Sequence, residues 1–306
     1  MKAEEIGRRT IKIVNSIVDT MVLVSVLLLS AFAGYALWDS EQIYHAADKS
    51  QYAIYKPTTA NEGKSFKELQ AINAEVIAWL NVYGTNIDYP VTQGDDNMKY
   101  VNTNVEGLYS LSGAIFLDYN NSKDFSDFNS ILFGHHMEKK MMFGEIGSFA
   151  DRNMFETHQY GYLYFDEEEH GIEFFAFMHT DAYDGAIFSS NVKGEGRQIY
   201  LDELLLKSMY SRDIGVTIED RIVLLSTCSS SSTNGRDILI GRITDEVFED
   251  PFIDNNTDDG KEQLSEDDLG GFIKDILLWL LLLVLATIIT LRILAIYQNN
   301  KQRKTE

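Results

Sequence analysis

The chain has 306 residues, 45% of them hydrophobic and 24% charged, which supplies a buried core and excludes a globally disordered chain. Three Pro and one Cys exclude a Pro-rich stalk, a disulfide framework and a Cys-clustered zinc site. A formal charge of −21 argues against nucleic acid as a partner.

Residues 1–19 carry Lys2, Arg8, Arg9 and Lys12 and read as a cytoplasmic N-terminus. Residues 20–38, TMVLVSVLLLSAFAGYALW, hold no charge. At about 1.5 Å per residue such a helix spans a hydrocarbon core of about 30 Å. A cleaved signal peptide is the alternative, and Ala31, Ala33 and Ala36 offer the small residues it needs, but the apolar run is long for one. Residues 39–85 read as helical. In SFKELQAINAEVIAWLNV, Phe66, Leu69, Ile72, Val76, Ile77 and Leu80 recur at steps of three and four.

From Asn86 the pattern becomes short apolar runs rich in Val, Ile, Phe and Tyr, separated by Gly, Asn and Asp: NIDYPV, GAIFLDY, NSILFGH, YGYLYFD, IEFFAFMHT, DRIVLLSTC and RDILIGRIT. They predict strands, with helical insertions at 137–151 and 201–210, and so many strands at that spacing predict a closed β-barrel with appended helices over 86–248. Residues 249–273 form an acidic linker. A second apolar segment, 274–297, follows, with the charge-free core ILLWLLLLVLATIITL, and Arg292 can snorkel to its edge. The tail 298–306 is basic through Lys301, Arg303 and Lys304. Trp38, Trp279 and Tyr297 sit near the ends of the two spans. The expected topology has both termini inside a cell membrane and one domain outside. That outer part, 39–270, holds 17 basic and 42 acidic side chains, a net of −25. Such a field steers a cationic partner, or simply keeps the surface soluble.

Cys228 ends an apolar strand and opens the polar loop SSSSTNGRD. A lone thiol outside a cell is unusual, because thiols there tend to be paired or oxidised. Two readings stand: a nucleophile aimed by a rigid strand, or a buried structural Cys. A nucleophile needs a base. His135 and His136 end the strand NSILFG, and either can pair with Cys228. No carboxylate or third His stands at metal-ligand spacing to this pair. Arg236 opens the next strand, where it can donate to an oxyanion or form a surface ion pair.

LSTC at 225–228 followed by Arg236 resembles the sortase signature. The runs IDYPVTQGDDNMKYV (87–101) and SGAIFLDYNNSKDFSDFNSILFGHHMEKKMMFGEIGSF (112–149) resemble class B sortases, over roughly 70–250 in all. The resemblance implies an eight-stranded barrel with N-terminal helices, a cysteine transpeptidase and no cofactor. It assigns Cys228 as nucleophile, His135 as the catalytic His and Arg236 as the essential Arg. It places Thr227 beside the thioacyl intermediate, and Ser226, Asn97 and Val101 along the substrate groove. Partners would be surface proteins or pilins with a C-terminal sorting motif. The acceptor would be a pilin Lys or a peptidoglycan cross-bridge amine. The second span departs from the many class B members with one anchor and is more typical of pilus-building enzymes, though the class C lid with its Asp-Pro motif is not evident. A cysteine hydrolase, or a tethered binding module with an inert Cys228, would share most of these features.

Overall fold

The first apolar run lies within one long helix, α1 (Lys2–Ala47), of the computed structural model, which describes residues 2–57, 64–229, 232–253 and Ile289. The segment Ile6–Ala47 is long and apolar enough to cross a membrane, and none of its most apolar stretch is buried. It is the one such helix among the described residues. The second expected span, 274–297, and most of the acidic linker lie outside them. The chain divides into a unit containing Met1–Trp38 and a unit Asp39–Asp254. The second unit carries all the strands among the described residues.

Only part of 39–85 is helical. After α1 come two short 3-10 turns, then α2 (Lys64–Ile72). Asn73 ends α2: its side-chain amide donates to the Tyr100 hydroxyl and the Val105 carbonyl, and its Oδ1 accepts from the Glu75 amide. The chain then runs extended as β1 (Val76–Val82), not as the helix expected there. The reason is burial. VIAWLNV satisfies a helical period by spacing, but β1 is flanked by strands on both sides and mostly buried, and its branched and aromatic residues suit that environment.

The expected strands follow as β2 (Asp88–Thr92), β3 (Ile115–Leu117), β4 (Asn129–Phe133), β5 (Tyr160–Phe165) and β6 (Glu168–Asp181), then β8 (Arg221–Cys228) and β9 (Gly235–Thr244). A two-residue strand, β7 (Tyr210–Ser211), pairs only with β6. The order β5-β1-β2-β3-β4-β8-β9-β6 closes through β5–β6 into an eight-stranded barrel. Two neighbouring pairs are parallel, β2 with β3 and β4 with β8. Register shifts at Val76/Ala78 and Phe174/Ala176 are bulge-like irregularities of the kind that bend strands around a barrel.

The helical insertions differ from expectation. Residues 137–151 make two 3-10 turns, Glu138–Lys140 and Ile146–Ala150, before the short α3 (Arg152–Thr157). A continuous helix is broken there by left-handed backbone at Lys139, Lys140 and Met142. The second insertion, α4 (Gly196–Lys207), begins earlier and ends earlier than 201–210, because Ser208 turns extended.

Alternation along β8 builds two apolar layers. Val223 and Leu225 face the main core with Leu132, Leu239 and Trp79. Ile222 and Leu224 face a second layer with Ile131, Ile238 and Ile240, which also holds Tyr200, Leu201 and Leu204 of α4. Burial on both faces explains why RIVLLSTC reads as a continuous apolar run.

Candidate active site

Parallel pairing of β4 and β8 brings their C-terminal ends together. Phe133 lies opposite Ser226, and the Gly134 amide donates to the Ser226 carbonyl at 3.2 Å. The Thr227 hydroxyl donates to the Gly134 carbonyl at 2.9 Å, fastening the strand that carries Cys228 to the one that leads into His135. Gly134 is required here by packing: a Cβ would stand 2.8 Å from the ring of the fully buried Phe143. Across the antiparallel β8–β9 pair, Cys228 is the direct partner of Arg236.

Cys228, His135 and Arg236 line one cavity of about 440 Å³. All four of the other expected residues, Thr227, Ser226, Asn97 and Val101, line it as well. Cys228 is exposed at its mouth. Phe133 forms an aromatic wall, 5.4 Å from Phe116 and 6.3 Å from Phe188 between ring centroids. The His135 Nε2 lies 2.7 Å from the Val101 carbonyl oxygen. A carbonyl only accepts, so Nε2 carries a hydrogen, and Nδ1 is the nitrogen left to exchange a proton. Arg236 donates from Nη1 to the Gly235 carbonyl at 3.0 Å.

The groove residues have distinct local duties. Ser226 is 1% exposed, and its hydroxyl has no protein hydrogen-bond partner. The Asn97 amide is held on both sides, donating to Asp118 Oδ2 at 2.8 Å and accepting from the Tyr119 amide at 2.9 Å. Val101 contributes its carbonyl to His135. Asp118, Phe116, Phe133 and Phe188 were not singled out by the sequence. Asp118 is buried within FLDYNN, and the three Phe belong to apolar runs whose pattern does not say which side faces a cavity.

His136 does not share this cavity. Extended backbone sends neighbouring side chains to opposite sides, and His136 bridges to Met142. The other His also lie elsewhere. His170 is buried and stacked on Phe165, with burial and then Arg221 lowering its pKa. His158 stacks on Phe252, and His179 bonds to Asp237. Among the described residues no group of three or more His, Cys, Asp or Glu is arranged to hold a metal ion.

No family model matches the chain. Among characterised relatives, Sortase B of Staphylococcus aureus is 31% identical over 182 residues, covering 58% of this chain and 74% of its own. Among solved structures, the sortase B from the Type II pilus of Streptococcus pneumoniae has 47% identity and a TM-score of 0.53, over 59% of this chain and 99% of its own. A Streptococcus pyogenes class B sortase involved in pilus biogenesis has 41% identity and a TM-score of 0.55, over 60% of this chain and 99% of its own.

Proposed function

The chain belongs to the class B sortases, cysteine transpeptidases that act on surface proteins, and from that membership we propose that it joins a sorting-motif peptide to a pilin Lys through Cys228, His135 and Arg236. The observation that carries the assignment of residues is their convergence on one cavity at the ends of β4, β8 and β9. The Cys228 thiolate attacks the scissile carbonyl carbon, and the Arg236 guanidinium, opposite Cys228 in register, donates to the oxyanion. As the C–N bond breaks, His135 Nδ1 gives its proton to the leaving amine. The Val101 carbonyl accepts from Nε2–H and holds the ring so that Nδ1 can relay the thiol proton to the leaving amine. Substrate groups meet the Phe133 wall. An amine then attacks the thioester, and an amide forms.

The pilin acceptor is supported by the two pilus-associated relatives and by the second apolar segment, 274–297. The same reading anchors the enzyme through α1 and 274–297, with both termini cytoplasmic. It is supported by the basic residues before the first apolar run and after the second.

The test uses the full chain in detergent micelles, wild type and Cys228→Ala, with sorting-motif peptides. The acceptors are a Lys-bearing pilin domain and an oligoglycine cross-bridge mimic, and intact mass reports the products. A Cys228-dependent adduct on the pilin Lys is the expected result. Transfer to oligoglycine alone would replace it with wall anchoring, and cleavage without an amide product would make the enzyme a hydrolase.

A further inference from the structure

The active-site cavity has an acidic end away from its nucleophile. Asp118 follows β3 directly, lines the cavity and is 6% exposed. β3 and β4 run antiparallel with Phe116 opposite Phe133, and the Asp118 amide donates to the Ile131 carbonyl at 2.8 Å. Phe133 in turn pairs with Ser226 on β8, so Cys228 stands at the level of His135, four positions beyond Ile131. At about 3.3 Å per residue, Asp118 lies roughly 13 Å along the strands from Cys228. Arg236, the cross-strand partner of Cys228, belongs to the catalytic end.

The Asp118 carboxylate is aimed by its neighbours and keeps spare capacity. Oδ1 accepts from the Asn120 amide at 2.9 Å, from Asn120 Nδ2 at 3.1 Å and from the Ser190 hydroxyl at 3.3 Å. Among the described residues, Oδ2 accepts only from Asn97 Nδ2, at 2.8 Å. An ionised carboxylate offers about four acceptor sites over its two oxygens, so Oδ2 has one open. All these donors are neutral, and among the described residues no Lys or Arg pairs with Asp118. A buried carboxylate without a counter-charge is costly, and a ligand cation removes that cost.

Three rings line the same cavity. Phe116, two residues before Asp118, shares its side of the extended chain. Phe133 lies between Phe116 and Phe188, at centroid distances of 5.4 Å and 6.3 Å. Aromatic faces attract cations, and they pack against the aliphatic stem of a basic side chain. An anionic side chain would be repelled by Asp118, and an apolar one would leave the carboxylate bare.

We propose that Asp118 and the three rings form a specificity site for a basic side chain, Lys or Arg, of the sorting-motif peptide, within about four residues of the bond that Cys228 attacks. The proposal rests on the transpeptidase reading above. The occupant is not the attacking amine, which must reach the thioester at the other end of the cavity. The ammonium or guanidinium donates to Asp118 Oδ2, and its stem lies against the rings. No bond is made or broken there; the contact holds the peptide so that its carbonyl meets Cys228. Asn97 acts through Asp118, since its side chain bonds both the carboxylate and the Tyr119 amide.

The test uses the full chain in detergent micelles, as wild type, Asp118→Asn and Phe188→Leu. The donor is a sorting-motif peptide, resynthesised with Lys, Arg, norleucine or Glu at each of the four positions on either side of the cleaved bond. Norleucine keeps the aliphatic stem and lacks the ammonium. Rates of thioacyl formation at subsaturating peptide are read by intact mass before any acceptor is added. At one position wild type is expected to prefer Lys or Arg to norleucine by roughly tenfold or more, and to reject Glu. Asp118→Asn is expected to abolish that preference, and Phe188→Leu to lower it roughly threefold. A wild type with no such position would overturn the site without any variant. A preference unchanged in either variant, a parallel fall for all peptides included, would also overturn it. So would a preference for basic groups that appears only in the acceptor step. A wild type that forms no thioacyl adduct with any peptide would overturn the transpeptidase reading itself, a failure seen before any preference is measured.

Discussion

Replacing Thr227 with Val isolates the bond that fastens the two halves of the site. Thr227 is 2% exposed, and its hydroxyl donates to the Gly134 carbonyl at 2.9 Å. Val keeps the shape and removes the donor, leaving a carbonyl short of a partner at a buried strand end. Loss of such a bond, with its acceptor left unpaired, costs about 2 kcal/mol. For a unit the size of Asp39–Asp254 that lowers Tm by roughly 4–8 °C. The effect on rate is larger in proportion, because the bond sets the position of Cys228 relative to His135. Displacement of reacting groups by about 1 Å costs on the order of a hundredfold. Thr227→Val is therefore expected to lose roughly a hundredfold in acylation rate, and Thr227→Ser, which retains the donor, to recover most of both losses. Calorimetry and single-turnover acylation of the full chain in detergent measure the two effects. A Val variant as fast as wild type, or a Ser variant no better than Val, would refute the fastening role.

Arg236→Lys keeps the charge but loses the planar fork opposite Cys228, and kcat/KM for thioacyl formation is expected to fall about 10²–10³-fold with an unchanged circular dichroism spectrum. Gly134→Ala is expected to cost about 1–3 kcal/mol in urea denaturation through overpacking against Phe143, and Phe143→Leu in the same chain to relieve part of it; simple additivity would refute the contact. His170 has a folded-state pKa below its usual 6.5, through burial and then Arg221. As pH falls below about 6.5 the unfolded chain binds the proton first, so His170 draws Tm down toward acid, while above that pH its contribution is fully present. His170→Phe, which preserves a ring against Phe165, is expected to flatten the Tm profile between pH 7.5 and 5.5; an unaltered slope would refute the assignment.

Strand identity was legible where branched and aromatic residues ran between Gly, Asn and Asp, and each of the seven expected runs overlaps a strand. The reading failed at Val76–Val82, because Val76, Ile77 and Leu80 fit a helical period while β5, one of the two neighbours that make the segment a strand, is remote in sequence. Period alone cannot register a partner such as Tyr164, 85 positions beyond Trp79. The cavity was legible because Cys228, His135 and Arg236 stand at strand ends, and a strand end is visible in the pattern. Position alone left His135 and His136 equivalent; the family resemblance selected His135, and it is His135 that lines the cavity. The pairing of His179 with Asp237 depends on the β6–β9 register, which nothing local to either residue specifies.

The parallel β4–β8 pair also sets when the chemistry appears. Gly134 and Thr227 are 93 residues apart, and the intervening chain contains β5, β6 and α4. Loop closure over such distances makes barrels of this kind slow to fold. A chain emerging N-terminus first has α1, then the strand leading into His135, long before it has Cys228, and Arg236 follows later still. The thiol and the guanidinium meet the imidazole only once β8 has paired with both β9 and β4. Acyl transfer is thereby coupled to the pairing of β4 with β8, the last contact the three side chains need.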